Sequence, residues 1–441
     1  MILHDIETSS RREMETLQLE RLCQTVKRVY ENVPFYRKKL TELRVEPEQI
    51  RSLEDVRKLP FTTKKDLRDN YPFGLLAVDL KACVRVHASS GTSGKPTVVA
   101  YTKNDINNWA NIVARAIAIA GGEPGNVLHN AYGYGLFTGG LGLHYGSERL
   151  GMVTVPVSGG NTDRQVMLIE DFQPDVICGT PSYVLNIAER MKELGKDPRR
   201  TSLKYGIFGA EPWSEEMRRT LEQELAIKAC DIYGLSEVIG PGVAIECHEA
   251  QNGLHIAEDH FFVEVINPHT LEPVADGEEG ELVFTSLTKE AFPVIRYRTG
   301  DIASITREPC KCGRTTTRMS RVKGRVDDML IVRGVNVFPS EIEHCLLTVS
   351  ELAPHYQVHL FRKGTLDVVE LQVEVNERFY QEIGGNLNDE RIGLLEKRVH
   401  HLLKNYCLVS IDVKIHAPKA LPRSEGKAIR VVDYRKEKAT L

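Results

Sequence analysis

No stretch of the chain approaches the roughly 18 consecutive apolar residues that a membrane-spanning helix requires. The opening residues, Met1-Ile2-Leu3-His4-Asp5-Ile6-Glu7, carry no basic segment followed by an apolar one. No secretory signal is read there, and a cytoplasmic protein is expected. Charge of one sign is not in excess. Fifty-seven Lys and Arg face 61 Asp and Glu, a net charge of −4, so neither nucleic acid nor an anionic membrane surface is expected as a partner. The nine cysteines are odd in number and scattered, which argues against a disulfide framework. Internal repeats are absent, as are low-complexity segments apart from one Ser/Gly loop. The kinase-type phosphate loop, G-x-x-x-x-G-K-[ST], is missing too. Ser89 stands where its first glycine belongs, and Pro96 stands where Ser or Thr must follow the lysine.

What the chain does contain is Ala88-Ser89-Ser90-Gly91-Thr92-Ser93-Gly94-Lys95-Pro96-Thr97. Nine of these ten residues are small, hydroxylated or turn-forming, and Lys95 is the one charge. Glycine admits positive φ and close ligand approach. Successive N–H groups and hydroxyls make a concave donor surface that suits phosphate, and a lysine adds a cation. Pro96 stiffens the exit. The preceding Cys83-Val84-Arg85-Val86-His87 reads as a strand, so the loop sits on a strand-to-loop turn.

At 441 residues the chain can build more than one domain. Leu17, Leu19, Leu22, Val26 and Val29 recur at helical spacing within Glu13–Leu43, which Pro34 interrupts. A short helix is expected over Leu53–Leu59, and Thr62-Thr63-Lys64-Lys65-Asp66-Leu67 reads as a cap and first turn. From Lys81 to about Gly240 strands alternate with helices. The strands are Val84–Val86, Val127–Ala131, Met152–Val157, Val176–Cys178, Tyr205–Phe208 and Ala229–Ile232; the helices are Asp105–Ala120, Arg164–Phe172, Tyr183–Leu194 and Glu215–Leu225. Such alternation predicts an α/β fold with a helix-covered, mostly parallel sheet. After Gly240, His260–Val265, Gly280–Thr285 and Asp301–Ile305 read as antiparallel strands. From Val335 onward helices (Ser340–Thr348, Asp389–Lys404) and strands (His355–Leu360, Val368–Val375, Ser410–His416) predict a compact α+β domain of about 110 residues.

Four further stretches carry candidate chemistry. Asp231-Ile232-Tyr233-Gly234-Leu235-Ser236-Glu237 follows a strand and ends in a carboxylate. Its tyrosine can cover a purine, and Ser236 and Glu237 can reach phosphate and Mg²⁺. Arg296-Tyr297-Arg298-Thr299-Gly300-Asp301 sets an aspartate at a strand start, where a carboxylate can accept ribose hydroxyls. Gly324-Arg325-Val326-Asp327-Asp328-Met329-Leu330 precedes the change of composition and suits a hinge. Leu421-Pro422-Arg423-Ser424-Glu425-Gly426-Lys427 places a lysine in a polar glycine loop near the C-terminus.

Taken in order and spacing, these stretches, with Gly209-Ala210-Glu211-Pro212, Gly334-Val335-Asn336-Val337-Phe338-Pro339, Asn32-Val33-Pro34-Phe35-Tyr36 and Glu258-Asp259-His260, resemble the adenylate-forming superfamily. Within it the likeness is to the phenylacetate–coenzyme A ligases, and it covers essentially the whole chain. The resemblance implies a large N-terminal domain (1–326) with helix-covered, mostly parallel sheets and a small β-barrel-like part. It also implies a small mobile α+β C-terminal domain (327–441). The implied reaction is the ATP-dependent joining of an aromatic acid to coenzyme A through an acyl-adenylate. The implied roles follow residue by residue. Ser90, Gly91, Thr92, Ser93, Gly94 and Lys95 hold the β- and γ-phosphates. Gly209, Ala210, Glu211, Pro212, Asp231, Ile232, Tyr233 and Gly234 form the adenine slot, with Ser236 beside it. Glu237 carries Mg²⁺, Asp301 binds ribose and Arg325 lies near ribose and α-phosphate. Lys427 contacts the forming acyl-phosphate bridge. Asp327 is the hinge about which the small domain turns, so that the loop of Gly334, Val335 and Asn336 enters for the coenzyme A step.

The acid pocket is assigned to Ala131–Gly140, where Tyr132, Tyr134 and Phe137 offer ring faces and Gly139 and Gly140 make room; core packing is the other reading of these residues. Cys310-Lys311-Cys312 resembles half of a zinc knuckle, which Cys247 with His255 or His248 would complete as a closed tetrahedral site; reduced, metal-free thiols are the alternative. A homodimer is expected on base rates. Two rival functions are an adenylating enzyme serving a carrier protein or amine, and a nucleotide-binding protein without turnover.

Overall fold

Ser10 starts the first long helix. Its hydroxyl accepts the Glu13 N–H, and the Glu13 carboxylate accepts the Ser10 N–H at 2.8 Å, a reciprocal cap that satisfies two helix-end donors. In this computed structural model α1 (Arg11–Asn32) buries Met14, Leu22, Val26 and Val29. Pro34 opens α2 (Pro34–Leu43) at a first-turn position, where its missing N–H costs nothing. Thr63 and Asp66 cap α3 (Lys64–Asp69) in the same reciprocal way. The short helix expected over Leu53–Leu59 is a 3₁₀ helix, Leu53–Lys58. The described residues are 1–89, 96–326, 330–332, 335–363, 366–407, 409–423 and 428–436.

The chain forms two units. The larger comprises Met1–Thr180, Arg200–Ala210 and Ala226–Val322; the smaller comprises Pro181–Arg199, Glu211–Leu225 and Lys323–Leu441. In the larger, β1 (Cys83–Ala88) and β2 (Val98–Thr102) pair antiparallel. Beyond them lie α4 (Lys103–Ile119), β3 (Val127–Asn130), α5 (Thr138–Leu150), β4 (Val153–Val155), α6 (Thr162–Phe172), β5 (Val176–Gly179), β6 (Tyr205–Gly209) and β7 (Lys228–Leu235). Strands in the order β4-β3-β5-β6-β7 are parallel. Helices can therefore cover both faces, and β5 (Val-Ile-Cys-Gly) is buried at every position. The sheet continues antiparallel through β8 (Gly240–Glu246), β9 (Leu254–Ile256) and two short strands introduced below, reaching nine strands.

Three more strands, β10 (Phe261–Ile266), β11 (Gly280–Ser286) and β12 (Tyr297–Ala303), pair antiparallel in succession. They correspond to the expected barrel-like part, although no closed barrel is present among the described residues. The short strands β13 (Ile305–Thr306) and β14 (Arg318–Met319) then complete the far edge of the large sheet, β14 pairing with β9.

The smaller unit contains α7 (Pro181–Glu193) and α8 (Glu215–Leu225), the short β15 (Gly324–Arg325), the hairpin of β16 (Leu330–Val332) and β17 (Val335–Val337), and α9 (Pro339–Leu347). Then come β18 (Leu352–Lys363), β19 (Leu366–Val375), α10 (Glu377–Glu382), α11 (Glu390–Cys407), β20 (Asp412–His416) and β21 (Val431–Asp433). Its mixed sheet runs β20-β19-β18-β21. Ile342, Val358, Leu371, Val399 and Leu403 form the centre of its core. No helix among the described residues is long and apolar enough to cross a membrane.

Helix α5 and strands β2 and β8 depart from the sequence reading. The start of α5, Thr-Gly-Gly-Leu-Gly-Leu-His-Tyr-Gly, has poor helix propensity, and it forms because packing demands it. A Cβ on Gly142 would lie 2.7 Å from the Trp109 ring, and one on Gly146 would lie 2.4 Å from Val113 Cγ1, both residues of α4.

Candidate active site

Strands β6 and β7 run side by side, with Gly209 opposite Ile232. A Cβ on Gly209 would sit 2.2 Å from the Ile232 carbonyl oxygen, so only glycine lets the strands approach this closely at their C-terminal ends. Ala210 then turns with φ 68, a left-handed conformation rare outside glycine and asparagine. The C-terminal edge of parallel strands is where open α/β sheets bind ligands.

The larger unit brings several expected site residues to that edge. Asp231, Ser236, Glu237 and Asp301 are all at least nine-tenths buried. The Tyr233 hydroxyl donates to Asp301 Oδ2 at 2.6 Å, joining β7 to β12, while its ring stacks on Phe284. Below it, Glu246 accepts the Asp231 N–H at 2.8 Å, and Arg321 lies 3.7 Å from Asp231 and 3.6 Å from Glu246. Glu281 accepts the Gly300 N–H and pairs with Arg298, which fixes the turn before Asp301. Arg296, by contrast, is structural: Glu264 and the Arg57 and Leu59 carbonyls hold it. Glu237 makes no hydrogen bond or ion pair among the described residues.

The acid-pocket residues divide. Tyr132 is buried and belongs to the core as well as to the loop. Tyr134 receives a hydrogen bond from Asn130 Nδ2 at 2.9 Å and lies 3.1 Å from His144 Nδ1; burial pushes its phenol up to about 12. Phe137 is 45% exposed. Gly139 and Gly140 are buried in the first turn of α5, whose N-cap, Phe137, supplies no side-chain acceptor. Uncapped first-turn N–H groups favour an anion. Thr138 Oγ1 lies 3.0 Å from Ser236 Oγ, joining this helix end to the turn that carries Glu237.

Sequence reasoning missed His87, and it gave no sign of the contact between Thr138 and Ser236. His87 Nδ1 lies 3.0 Å from the Leu136 carbonyl, which also accepts the Ala88 N–H; burial depresses its pKa. These contacts attach the end of β1 to the acid loop. A single histidine in a strand gives no pattern to detect. Ser89 and Thr97 exchange hydrogen bonds of 2.9 and 3.0 Å, so the flanks of the phosphate-loop candidate are held together. Ser90, Gly91, Thr92, Ser93, Gly94, Lys95, Asp327, Gly334 and Lys427 lie outside the described residues. Val335 and Asn336 belong to β17.

In the smaller unit Glu211 accepts the Ser182 and Ala428 N–H groups at 2.9 and 2.8 Å. Glu211, Pro212, Arg325, Glu343, Tyr356 and Arg430 line a cavity of about 240 Å³. Burial raises the Glu343 carboxyl, against the pull of nearby Arg430. Glu374 holds Arg423 through two 2.8 Å contacts and accepts the Lys419 and Leu421 N–H groups.

The sulfur and nitrogen candidates also come together in the larger unit. Ligand atoms of Cys247, His255, Cys310 and Cys312 all lie within 4.8 Å of one another. His248 is elsewhere, beside Tyr205 and Glu249.

Residues 34–288 match the family model for AMP-binding enzyme, and residues 334–435 match that for the AMP-binding enzyme C-terminal domain. Over 440 residues the chain is 54% identical to the phenylacetate-coenzyme A ligase of Thermus thermophilus, covering 98% of this chain and 99% of that one. The phenylacetate-coenzyme A ligase of Escherichia coli is also 54% identical, with 98% of each chain covered. The chain belongs to the phenylacetate–coenzyme A ligase family of AMP-binding enzymes. Among solved structures it resembles 2-hydroxyisobutyryl-CoA ligase in the postadenylation state in complex with 2-HIB-AMP. The TM-score is 0.92 at 29% identity, over 98% of this chain and 92% of that one.

Proposed function

We propose that the protein is an AMP-forming ligase that joins phenylacetate, or a closely similar aryl acid, to coenzyme A. The carrying observation is the constellation of Tyr233, Ser236, Glu237 and Asp301 at the strand ends, in a chain related over almost its full length to phenylacetate-coenzyme A ligases.

The first half-reaction requires the acid and ATP in one orientation. A carboxylate oxygen attacks the α-phosphorus, and the bond to the leaving pyrophosphate breaks. Most of the catalysis is positioning and charge stabilisation. Gly209, Ala210, Asp231, Ile232 and Tyr233 form the adenine slot, Asp301 accepts the ribose hydroxyls, and Ser90, Thr92, Ser93 and Lys95 take the β- and γ-phosphates. Gly91 and Gly94 give the loop its close approach. Glu237, buried and otherwise unengaged among the described residues, suits Mg²⁺, which when bound neutralises phosphate charge. The aryl ring lies among Tyr132, Tyr134 and Phe137, with its carboxylate toward the N–H groups of Gly139 and Gly140. Arg325 and Glu211 belong to the nucleotide's surroundings, and Lys427 reaches the forming acyl-phosphate bridge.

In the second half-reaction the coenzyme A sulfur attacks the acyl carbonyl carbon and AMP departs. Residues 327–441 turn about Asp327 between the two steps, exchanging Lys427 for the loop of Gly334, Val335 and Asn336. The nine cysteines form no disulfide, which suits a reducing compartment such as the cytoplasm. A homodimer completes the reading.

Acid-dependent pyrophosphate release, measured across phenylacetate, benzoates, indoleacetate and short fatty acids, tests it. Phenylacetate is expected to give the highest kcat/KM, and AMP formation is expected to require coenzyme A for turnover. Absence of acid-dependent pyrophosphate release refutes the enzyme reading. Turnover with an amine or carrier protein in place of coenzyme A refutes the acceptor.

A further inference from the structure

We propose that Cys247, His255, Cys310 and Cys312 bind one zinc ion as a closed structural site, separate from the nucleotide constellation and independent of the reading above. The distances carry the argument. Cys247 Sγ lies 3.7 Å from Cys310 Sγ, and Cys312 Sγ lies 3.4 Å from His255 Nε2. With Zn–S near 2.3 Å and Zn–N near 2.0 Å, a tetrahedron has S···S edges of about 3.8 Å and S···N edges of about 3.5 Å. Both edges lie close to these values, and all four ligand atoms are within 4.8 Å of one another. The 3.7 Å separation is far beyond the about 2.05 Å of a disulfide.

The surroundings fit a metal as well as the ligands do. Thr316 Oγ1 lies 3.0 Å from His255 Nδ1, fixing the ring so that Nε2 faces the sulfurs, as an outer-shell partner does for a metal-bound histidine. Backbone groups of Ala250 and Arg314 hydrogen-bond Cys247 and Cys312. Gly313, at φ 84, closes the turn back to the Cys310 carbonyl at 3.0 Å. Three sulfurs and one nitrogen are borderline-soft donors that select zinc, and four protein ligands leave no position open for substrate.

The topology gives the site its purpose. Cys247 directly follows β8, His255 lies in β9, and Cys310 and Cys312 belong to the connection between β13 and β14. His255 pairs with Ile245 on one side and Arg318 on the other. Strands β9, β13 and β14 have three, two and two residues, so few ladder hydrogen bonds hold this edge. A metal bridging three points replaces them. Arg314, two residues past the last ligand, pairs with buried Glu7 at 2.7 Å, so the staple also secures the chain's N-terminal turn. Cys247 adjoins Glu246, which holds the Asp231 N–H.

Protein purified without chelator from zinc-supplemented culture is expected to contain about one equivalent of zinc by mass spectrometry. X-ray absorption is expected to show three sulfurs near 2.3 Å and one nitrogen near 2.0 Å. Cys312→Ser and His255→Gln should each lower the content below a tenth of an equivalent and reduce Tm by roughly 5 °C or more, while Cys23→Ser should leave it unchanged. Less than a tenth of an equivalent in the wild-type protein, iron in place of zinc, or full zinc retention in both ligand variants overturns the proposal. Should the variants fail to fold, wild-type content and absorption still decide. None of these readouts depends on ligase activity.

Discussion

The Tyr233 hydroxyl donates to Asp301 Oδ2 at 2.6 Å and so links the large sheet to the neighbouring antiparallel strands. Under the proposed function this pair holds ready the carboxylate that accepts the ribose hydroxyls. Hydrogen bonds to a charged group contribute about 1.5–3 kcal/mol each, so Asp301→Ala should lower kcat/KM for ATP roughly 10- to 100-fold. Tyr233→Phe leaves the acceptor in place and should cost under about tenfold. The acid's KM should stay within about twofold of wild type in both. An unchanged kcat/KM for ATP in Asp301→Ala removes Asp301 from the nucleotide site.

Lys289 provides a pH test that involves no substrate. Its ammonium is buried, 3.8 Å over the Tyr101 ring, and burial lowers its pKa from 10.5 to about 8. A depressed amine costs the folded state most where folded and unfolded chains are both protonated, below pH about 8. That cost shrinks as pH climbs from there toward about 10.5, because the folded chain sheds its proton first. The full difference is roughly 3 kcal/mol, part of which the Tyr101 face offsets through its attraction for the cation. Lys289→Met keeps the stem and removes the titration. Relative to that variant, wild-type stability in urea should rise between pH about 7 and about 9.5. Parallel stability curves across that range refute the argument.

Much of the fold was legible because local signals agreed with tertiary packing. Thr63 and Pro34 each mark a helix boundary that the structure places within a residue or two, and the start expected near Glu13 falls two residues inside α1. The parallel strands are near-continuous apolar runs that only burial on both faces explains. Helix α5 was not legible, because Gly139, Gly140, Gly142 and Gly146 oppose helix formation locally, and Gly142 and Gly146 are required only by neighbours distant in sequence. In the candidate site, Asp231, Tyr233, Glu237 and Asp301 were singled out by their stretches and the family resemblance, whereas the Thr138–Ser236 and His87–Leu136 contacts join residues 98 and 49 positions apart. Of His255 and His248 the sequence could not choose. The choice rests on β9 pairing with β14, which brings one histidine and not the other to the cysteines.

The same glycines make a prediction in which two effects compete. Alanine is the better helix former by about 1 kcal/mol. In Gly146→Ala the new Cβ would lie 2.4 Å from Val113 Cγ1, 2.5 Å from its Cβ and 2.9 Å from its carbonyl carbon, atoms that cannot move without shifting α4. Overpacking of this kind costs about 1–3 kcal/mol, so the net effect should be a loss of up to about 2 kcal/mol. Gly393→Ala, within α11 and with nothing inside 4 Å of its Cβ, should instead gain up to about 1 kcal/mol. Urea denaturation of the two variants compares them directly, and equal signs would show that propensity outweighs packing on α5.

If Lys427 acts only while the acyl–phosphate bond forms, its removal should divide the reaction. A cation aimed at the developing charge contributes about 10²- to 10³-fold in rate at such centres. Lys427→Ala should therefore lose adenylation by that factor, read as acid-dependent pyrophosphate release. Supplied phenylacetyl-adenylate and coenzyme A should still yield thioester within about threefold of wild type, since the second step breaks the acyl–phosphate bond with the sulfur as nucleophile and needs no lysine at the bridge. The adjoining anchor, Glu374 with Arg423, supplies the control. Arg423→Lys weakens a bidentate pair, and under the proposed rotation it should slow adenylation more than thioester formation, by a smaller factor than Lys427→Ala. Equal loss of both half-reactions in Lys427→Ala would mean that the lysine supports the fold or binds coenzyme A, and the rotation about Asp327 would lose its chemical basis.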